Sequence, residues 1–421
     1  MSKIPKLRFK EFSGEWEEKR YGEIYSFYST NSFSRDKLNY DNGLVKNIHY
    51  GDIHTQFNTQ FNIKKENVPF INNNIDLSKI KEDSYCLNGD LVIADASEDY
   101  NDIGKTMEIV DLNNEKVIAG LHTFLARPNK YEMALGYISY LLQSWKVRKQ
   151  VMTIAQGTKV LSLSTGRLSN IKLNLPQKQE QEKIASFLTQ IDTKIEQLTK
   201  KDKLLHSYKK GVMQKIFSQE IRFKDDDGNE FEDWEVTKLG KICTLQGGFA
   251  FKSNEFKKSG IPIIRISNIS NNHNYIEKNN LTYYNEIKSD DNFTIKYGDL
   301  LIAMSGATTG KSSIYNLNNK AYLNQRVGLF KVKSNLINGY LIQFVFSSIF
   351  LKQLDVVLVA GAQPNISSKD IENFKINLPP LKEQIKIANF LSSIDKKIES
   401  VSNQLAQTKE FKKGLLQKMF V

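Results

Sequence analysis

The stretch IASFLTQIDTKIE, Ile184 to Glu196, returns 203 residues later as IANFLSSIDKKIE, Ile387 to Glu399. The offset holds without a gap from Gly136-Tyr137 against Gly339-Tyr340 to Phe217 against Phe420. Matched pairs include Leu175-Pro176 with Leu378-Pro379, Glu180-Gln181 with Glu383-Gln384, Asp192 with Asp395, and Lys209-Lys210-Gly211 with Lys412-Lys413-Gly414. In the last stretch roughly half the positions are identical, where unrelated sequence gives roughly one in seventeen, so the chain carries an internal duplication. Upstream the copies agree only in outline. Trp16, Gly22 and Ile24 match Trp234, Gly240 and Ile242, and Gly89-Asp90-Leu91 with Ile93-Ala94 match Gly298-Asp299-Leu300 with Ile302-Ala303. The chain therefore reads as a variable segment and a kept segment, each present twice.

The kept segment is helical. Pro176 or Pro379 stands where a first turn would begin, and Glu180 or Glu383 follows near the positive end of the helix dipole. Apolar residues then recur at spacings of four and three: Ile184, Leu188, Ile191, Ile195 and Leu198 in the first copy, Ile387, Leu391, Ile394, Ile398 and Val401 in the second. This is a coiled-coil seam. Asp202 and Lys209 interrupt the first copy, Thr408 and Lys412 the second, either setting register or loosening the middle. About 40 residues at 1.5 Å each predict helices roughly 60 Å long. Each seam needs an apolar partner, and pairing the two copies within one chain satisfies both.

The variable segments read as short β-branched and aromatic runs between Gly and Asn-rich turns, among them SYCLNGDLVIADAS (84–97), IPIIRISNI (261–269) and NFTIKYGDLLIAMSG (292–306). A helix is expected near 133–152 and again near 336–357. The predicted class is α+β: two mixed α/β domains joined by two long helices packed as an antiparallel coiled coil, a dumbbell with pseudo-two-fold symmetry. Boundaries are expected at 1–150 and 219–355 for the variable domains, and at 151–218 and 356–421 for the kept regions, with helices over about 177–217 and 380–420.

The 421 residues carry a formal net charge of +12, and 40% are hydrophobic. That excess favours a polyanionic partner such as nucleic acid. No apolar run approaches the roughly 20 residues of a membrane span, and MSKIPKLRFKEF lacks the apolar core of a secretory signal; both predict a cytoplasmic protein without a membrane. Cys86 and Cys243 stand alone, and His49, His54, His122, His206 and His273 form no spaced metal set.

The run SGATTGKSS, Ser305 to Ser313, misses the spacing of a phosphate-binding loop by one residue and leads into a strand-like stretch. Asn377-Leu378-Pro379-Pro380 is not the Pro-Pro-aromatic pocket expected for amino-group methylation. Asp90, Asp95, Glu98 and Asp99 would make a metal-dependent nuclease site, although only Asp90 is echoed in the second copy, by Asp299. Polar residues on loops suit base edges and phosphates better. The candidates are Arg35, Lys37, His54, Lys105, Gln156 and Lys159 in the first copy. In the second they are Lys252, Ser253, Arg265, Asn268, Lys311, Gln325, Arg326, Gln363 and Asn365. A coiled-coil scaffold without a DNA role is the third reading.

NLPxxxEQ followed by IAxFLxxIDxKIE, twice, together with Gly247-Gly248-Phe249-Ala250-Phe251-Lys252-Ser253 and Gly298-Asp299-Leu300-Leu301-Ile302-Ala303, resembles the DNA-specificity subunit of type I restriction-modification enzymes. The resemblance spans the chain. The first variable segment departs from it, reading Phe27-Tyr28-Ser29-Thr30-Asn31 where the second has GGFAFKS. The resemblance implies a non-catalytic subunit that binds double-stranded DNA, each variable domain reading one half of an asymmetric split site. It implies paired helices that set the spacing and dock two methyltransferase subunits, which in turn recruit restriction subunits. No cofactor is then expected in this chain, S-adenosylmethionine and ATP with Mg belonging to those partners.

Overall fold

A computed structural model describes residues 3–129, 133–270, 273–289, 292–360 and 365–421. The chain divides into two compact units, one made of Met1–Thr199 with Asn403–Val421 and the other of Lys200–Ser402. The duplicated segments form two long helices, Lys178–Phe217 and Leu381–Lys418, so each unit holds one half of each helix.

Within the first unit, Ile184, Leu188 and Ile191 share a core with Leu415, Met419 and Phe420. Lys412 reaches Asp192 at 2.6 Å. As one helix rises in number its partner falls, so the halves run antiparallel. The second unit repeats the pattern: Ile387, Leu391, Ile394 and Ile398 pack with Met213, Ile216 and Phe217. There Lys209 reaches Asp395 at 2.6 Å and the Ser402 hydroxyl donates to Asp202 at 2.6 Å. Three of the four polar residues that break the apolar spacing are thus paired across the seam. They fix its register, because a slip of one turn strands a half-buried charge. Ile195 is half-buried, while Leu198 and Val401 are 4% exposed.

Each helix end finishes in the core of the other copy's variable domain. Phe217 packs on Tyr340 at 5.6 Å in the second unit, and Phe420 on Tyr137 at 5.8 Å in the first.

The variable domains share one plan. In the first unit a sheet runs in the order Tyr25–Tyr28, Thr123–Pro128, Leu91–Ala94, Thr106–Asp111, Gln60–Asn62; in the second the order is Cys243–Gly247, Val327–Val332, Leu300–Ala303, Ser312–Ile314. A second sheet in each contains a parallel pair, Lys46–Ile48 with Val117–Ala119 and Ile261–Ile264 with Ala321–Leu323. Gly89 and Gly298 close equivalent turns at φ +92° and +89°, where a β-carbon would be strained. Asp90 and Asp299 accept the Leu87 and Lys296 N–H groups of those turns, each at 2.8 Å. Gly22 and Gly240 are kept for close approach, since an added β-carbon would lie 2.8 Å from the Cβ of Ser169 or of Glu372.

The helix expected near 133–152 is two helices, Ile138–Leu141 and Trp145–Ile154, and that near 336–357 is Asn338–Val345 and Ser348–Ala360. Extended Ser144 divides the first pair, and the Ser347 hydroxyl, bonded to the Phe344 carbonyl at 2.6 Å, sits at the second break. Among the described residues no single helix is long and apolar enough to cross a membrane.

The kept Glu-Gln pair needs a different explanation from the helix dipole. Glu180 is 1% exposed and receives two bonds from Arg8, at 2.8 and 2.7 Å. Glu383 is fully buried and receives Arg222 and the Trp234 indole N–H. The neighbouring Gln181 accepts the Ala134 N–H at 2.9 Å, as Gln384 accepts that of Ile337 at 2.8 Å. Each pair clamps its helix start to the domain it follows. The arginines lie in a further repeat, Leu7-Arg8-Phe9-Lys10 against Ile221-Arg222-Phe223-Lys224.

Candidate nucleic-acid interface

Most of the second-copy candidates gather at one edge. Strands Leu300–Ala303 and Val327–Val332 pair with Ala303 opposite Val327, so the residues beyond them leave the sheet together. The Met304 N–H donates to the Arg326 carbonyl at 2.9 Å, and the Ala303 N–H to that of Lys311 at 2.9 Å. Ser305 bridges Asn365, and the Gln325 N–H donates to the Phe249 carbonyl. Asn324 donates to Ile264 at 3.0 Å, placing Arg265 beside them. Lys311, Gln325, Arg326 and Asn365 are all exposed. Lys252 is 75% exposed with Glu255 3.3 Å away, and exposed Ser253 begins the turn next to it. The Arg265 guanidinium lies 5.8 Å over the Phe256 ring.

Asn268 is a correction. It is 1% exposed, and its side chain accepts the Arg265 N–H at 3.1 Å and donates to the Glu277 carbonyl at 3.3 Å. Its amide is spent on closing the turn that presents Arg265. Gln363 lies outside the described residues.

The same backbone bonds locate the corresponding edge in the first unit. Ala94 donates to the Lys105 carbonyl at 3.0 Å, and Asp95 donates to that of His122 at 3.1 Å. Gly120 donates to Ile48 at 2.9 Å, and His49 follows. His122 therefore occupies the place of Arg326, His49 that of Arg265, and Lys105 that of Lys311. His122 is half-exposed with φ +56°, and its Nδ1 lies 3.3 Å from Asp95 Oδ1. Burial pushes the Asp95 carboxyl up from its ordinary range, against the pull of His122. Tyr50 packs its ring against His49, His54 and His122, at 4.7, 6.1 and 5.3 Å. Burial, then the neighbouring Arg35 charge, holds the His49 imidazole below its ordinary value.

The remaining first-copy candidates divide by what already holds them. Arg35 makes two 2.8 Å bonds to buried Asp52, leaving its guanidinium half-exposed. Lys105 Nζ donates to the His54 carbonyl at 2.7 Å, and His54 Nε2 to that of Ala96 at 3.1 Å. Those two groups brace the loops. Lys37 is exposed beside Arg35. Gln156 pairs with Ser162 across a tight hairpin that carries exposed Lys159; Gly157 there has φ +127° and leaves no room for a β-carbon against the Val160 carbonyl. That hairpin is held to the edge by strand pairing of Leu161 with Ser97. His49 and His122 escaped the sequence reading because nothing in their spacing marks them; only the hydrogen-bond equivalence does.

The acidic cluster does not assemble. Asp90 is fully buried, bonded twice by Arg127 at 2.9 and 2.8 Å, and Asp99 accepts the Asn101 N–H within its own turn. Among the described residues no group of three His, Cys, Asp or Glu is placed to hold a metal. Lys311 opens the strand Ser312–Ile314, so no helix N-terminus follows the glycine-lysine turn. Cys86 and Cys243 are buried thiols pushed upward by desolvation, the latter to about 12.

Two loop-built polar edges on a repeated scaffold define a modular recognition protein. The model of the type I restriction modification DNA specificity domain matches residues 13–206 and 231–410, and the chain belongs to this family. It is 31% identical over 288 residues to the type I restriction enzyme MjaVIII specificity subunit of Methanocaldococcus jannaschii, covering 66% of this chain and 68% of the relative. It is 29% identical over 348 residues to the putative MjaX specificity subunit of the same organism, covering 78% and 76%. The crystal structure of the type I restriction-modification S subunit from M. genitalium shares the fold, with a TM-score of 0.65 at 14% identity over 99% of each chain.

Proposed function

We propose that this chain is the DNA-reading, non-catalytic subunit of a type I restriction-modification complex, with each variable domain reading one half of an asymmetric split site. The observation that carries the reading is the pair of equivalent loop edges furnished with unlike side chains. Asp95, His122 and His49 stand in one unit where Met304, Arg326 and Arg265 stand in the other. Arginine suits the two acceptors of guanine, whereas a histidine beside a carboxylate suits a different base edge. The two words therefore differ. The helices set their spacing and dock two methyltransferase subunits, through which restriction subunits join; S-adenosylmethionine and ATP with Mg bind those partners.

The test is to co-express the chain with the methyltransferase subunit of its own host in a methylation-free strain and map modified adenines. One asymmetric motif split by a fixed spacer is expected. A stable complex that modifies nothing would overturn the DNA-reading role and leave a scaffold.

A further inference from the structure

A second surface of the first unit is not used by the base-reading edge. A cleft of 570 Å³ lies between the helix Trp145–Ile154, the short helix Thr165–Leu168 and the strand Lys172–Leu175. Five cations line it, Lys3, Lys146, Lys149, Arg167 and Lys172, against the carboxylates of Glu18 and of Val421. Lys172 pairs with Glu18 at 2.8 Å, and Arg167 Nη1 donates to the Ile154 carbonyl at 3.4 Å. Among the described residues no carboxylate lies within ion-pairing distance of Lys3, Lys146 or Lys149, which are exposed.

The cleft runs on toward the Lys159 hairpin. A neighbouring hollow of 450 Å³ shares Thr153, Ile154, Arg167 and Asn170 with it and ends on Gln156, the base of the Lys159 hairpin. The second unit is furnished differently. At the 203-residue offset Lys149 and Lys172 are kept as Lys352 and Lys375, whereas Lys146, Arg167, Thr153 and Gln156 become Ile349, Asp370, Val356 and Val359, the two valines 71% and 87% exposed.

We infer that this cleft holds the sugar-phosphate backbone of the DNA alongside the first half-site, and that the second unit has no equivalent grip. The inference rests on the DNA-reading role proposed above. Cations in excess of their counter-charges attract a polyanion and release its condensed counterions on contact, a term blind to sequence. The footprint is then lopsided, with both words read by bases and one side held by charge.

The experiment uses the full chain assembled with its methyltransferase subunits and a duplex carrying its mapped site. Binding is measured against salt for the wild type, for the triple variant Lys3→Gln, Lys146→Gln, Lys149→Gln, and for the control Lys352→Gln, Lys375→Gln in the second unit. Each lost phosphate contact flattens the plot of log affinity against log salt by about 0.9. The triple variant is expected to flatten it by about 2 to 3 and to weaken binding about 10- to 100-fold at low salt, with the modified motif unchanged and the control like wild type. Phosphate-ethylation interference is expected beside the first word and lost in the triple variant. An unchanged slope, an altered motif, or an equal effect of the control overturns the inference. So does loss of methyltransferase binding with the slope kept, which assigns the cleft to a protein partner. A wild-type complex with no defined site would refute the DNA-reading role instead. All five positions are exposed, and a thermal melt of each variant verifies folding.

Discussion

Replacing Glu383 by glutamine tests the clamp that joins the second long helix to its domain. The carboxylate is fully buried and takes bonds from Arg222 at 2.9 and 3.3 Å and from the Trp234 indole at 2.8 Å. Glutamine keeps one accepting oxygen, so at least one of these donors loses its partner. Stripping one side of a buried ion pair costs about 3–5 kcal/mol. Arg222 retains the Phe231 and Glu232 carbonyls at 3.2 and 2.6 Å and is 17% exposed, which reduces the expected loss to about 2–3 kcal/mol. The matching change Glu180→Gln serves as an internal standard. Among the described residues Trp16 Nε1 has no hydrogen-bond partner, so Glu180 supports the arginine alone. Its replacement should cost about 1 kcal/mol less, the worth of one hydrogen bond. Urea unfolding followed by tryptophan fluorescence reads the two, each unit fitted as its own transition, since a two-unit chain need not unfold in one step. Equal costs at the two sites, or a cost under about 0.5 kcal/mol at Glu383, would refute the argument that burial and the indole bond decide the strength of the clamp.

Glu108, 2% exposed, is pushed by burial up to about 7 from 4.5, against the pull of the Gly136 and Ser139 N–H groups. The folded state then binds more protons than the unfolded one between those values, so stability is greatest below pH 4.5 on this account and falls by roughly 3 kcal/mol as pH rises through 7. Glu108→Gln should flatten that dependence in melts of the first unit. Lys209→Met should cost roughly 1–3 kcal/mol by leaving Asp395 with Gln343 and no paired cation among the described residues, whereas the double change with Asp395→Leu should restore most of it in a mutant cycle. Phe217→Ala should destabilise the second unit by about 3–5 kcal/mol and Phe420→Ala the first by a similar amount, read by denaturant unfolding of each. On the proposed function, His122→Ala should relax one position of the first word and Arg326→Ala one position of the second, each by about 1–3 kcal/mol of discrimination in motif mapping.

The heptad positions show what was legible without coordinates. Apolar residues at alternating four and three spacings have few other ways to leave water, and Ile184, Leu188, Ile387 and Leu391 are all buried. Lys209 and Lys412 were visible as interruptions, but their partners Asp395 and Asp192 lie far off in the chain, and no local rule pairs them. Ser144 and Ser347 looked like ordinary helix residues because their effect depends on packing at the break. Asn268 passed for a base reader since asparagine serves turns and base edges alike, and only burial separates the two uses.

By itself the sequence determined the duplication, the two helices with their seams, and the family, because periodicity and repeated motifs are properties of order along the chain. Only the tertiary structure decided which residues share an edge. His122 stands for Arg326 and His49 for Arg265 through backbone hydrogen bonds between segments remote in sequence. Those loops differ in length and composition between the copies, so alignment cannot pair them. What is kept is the pattern of main-chain bonds, which carries no side-chain signature.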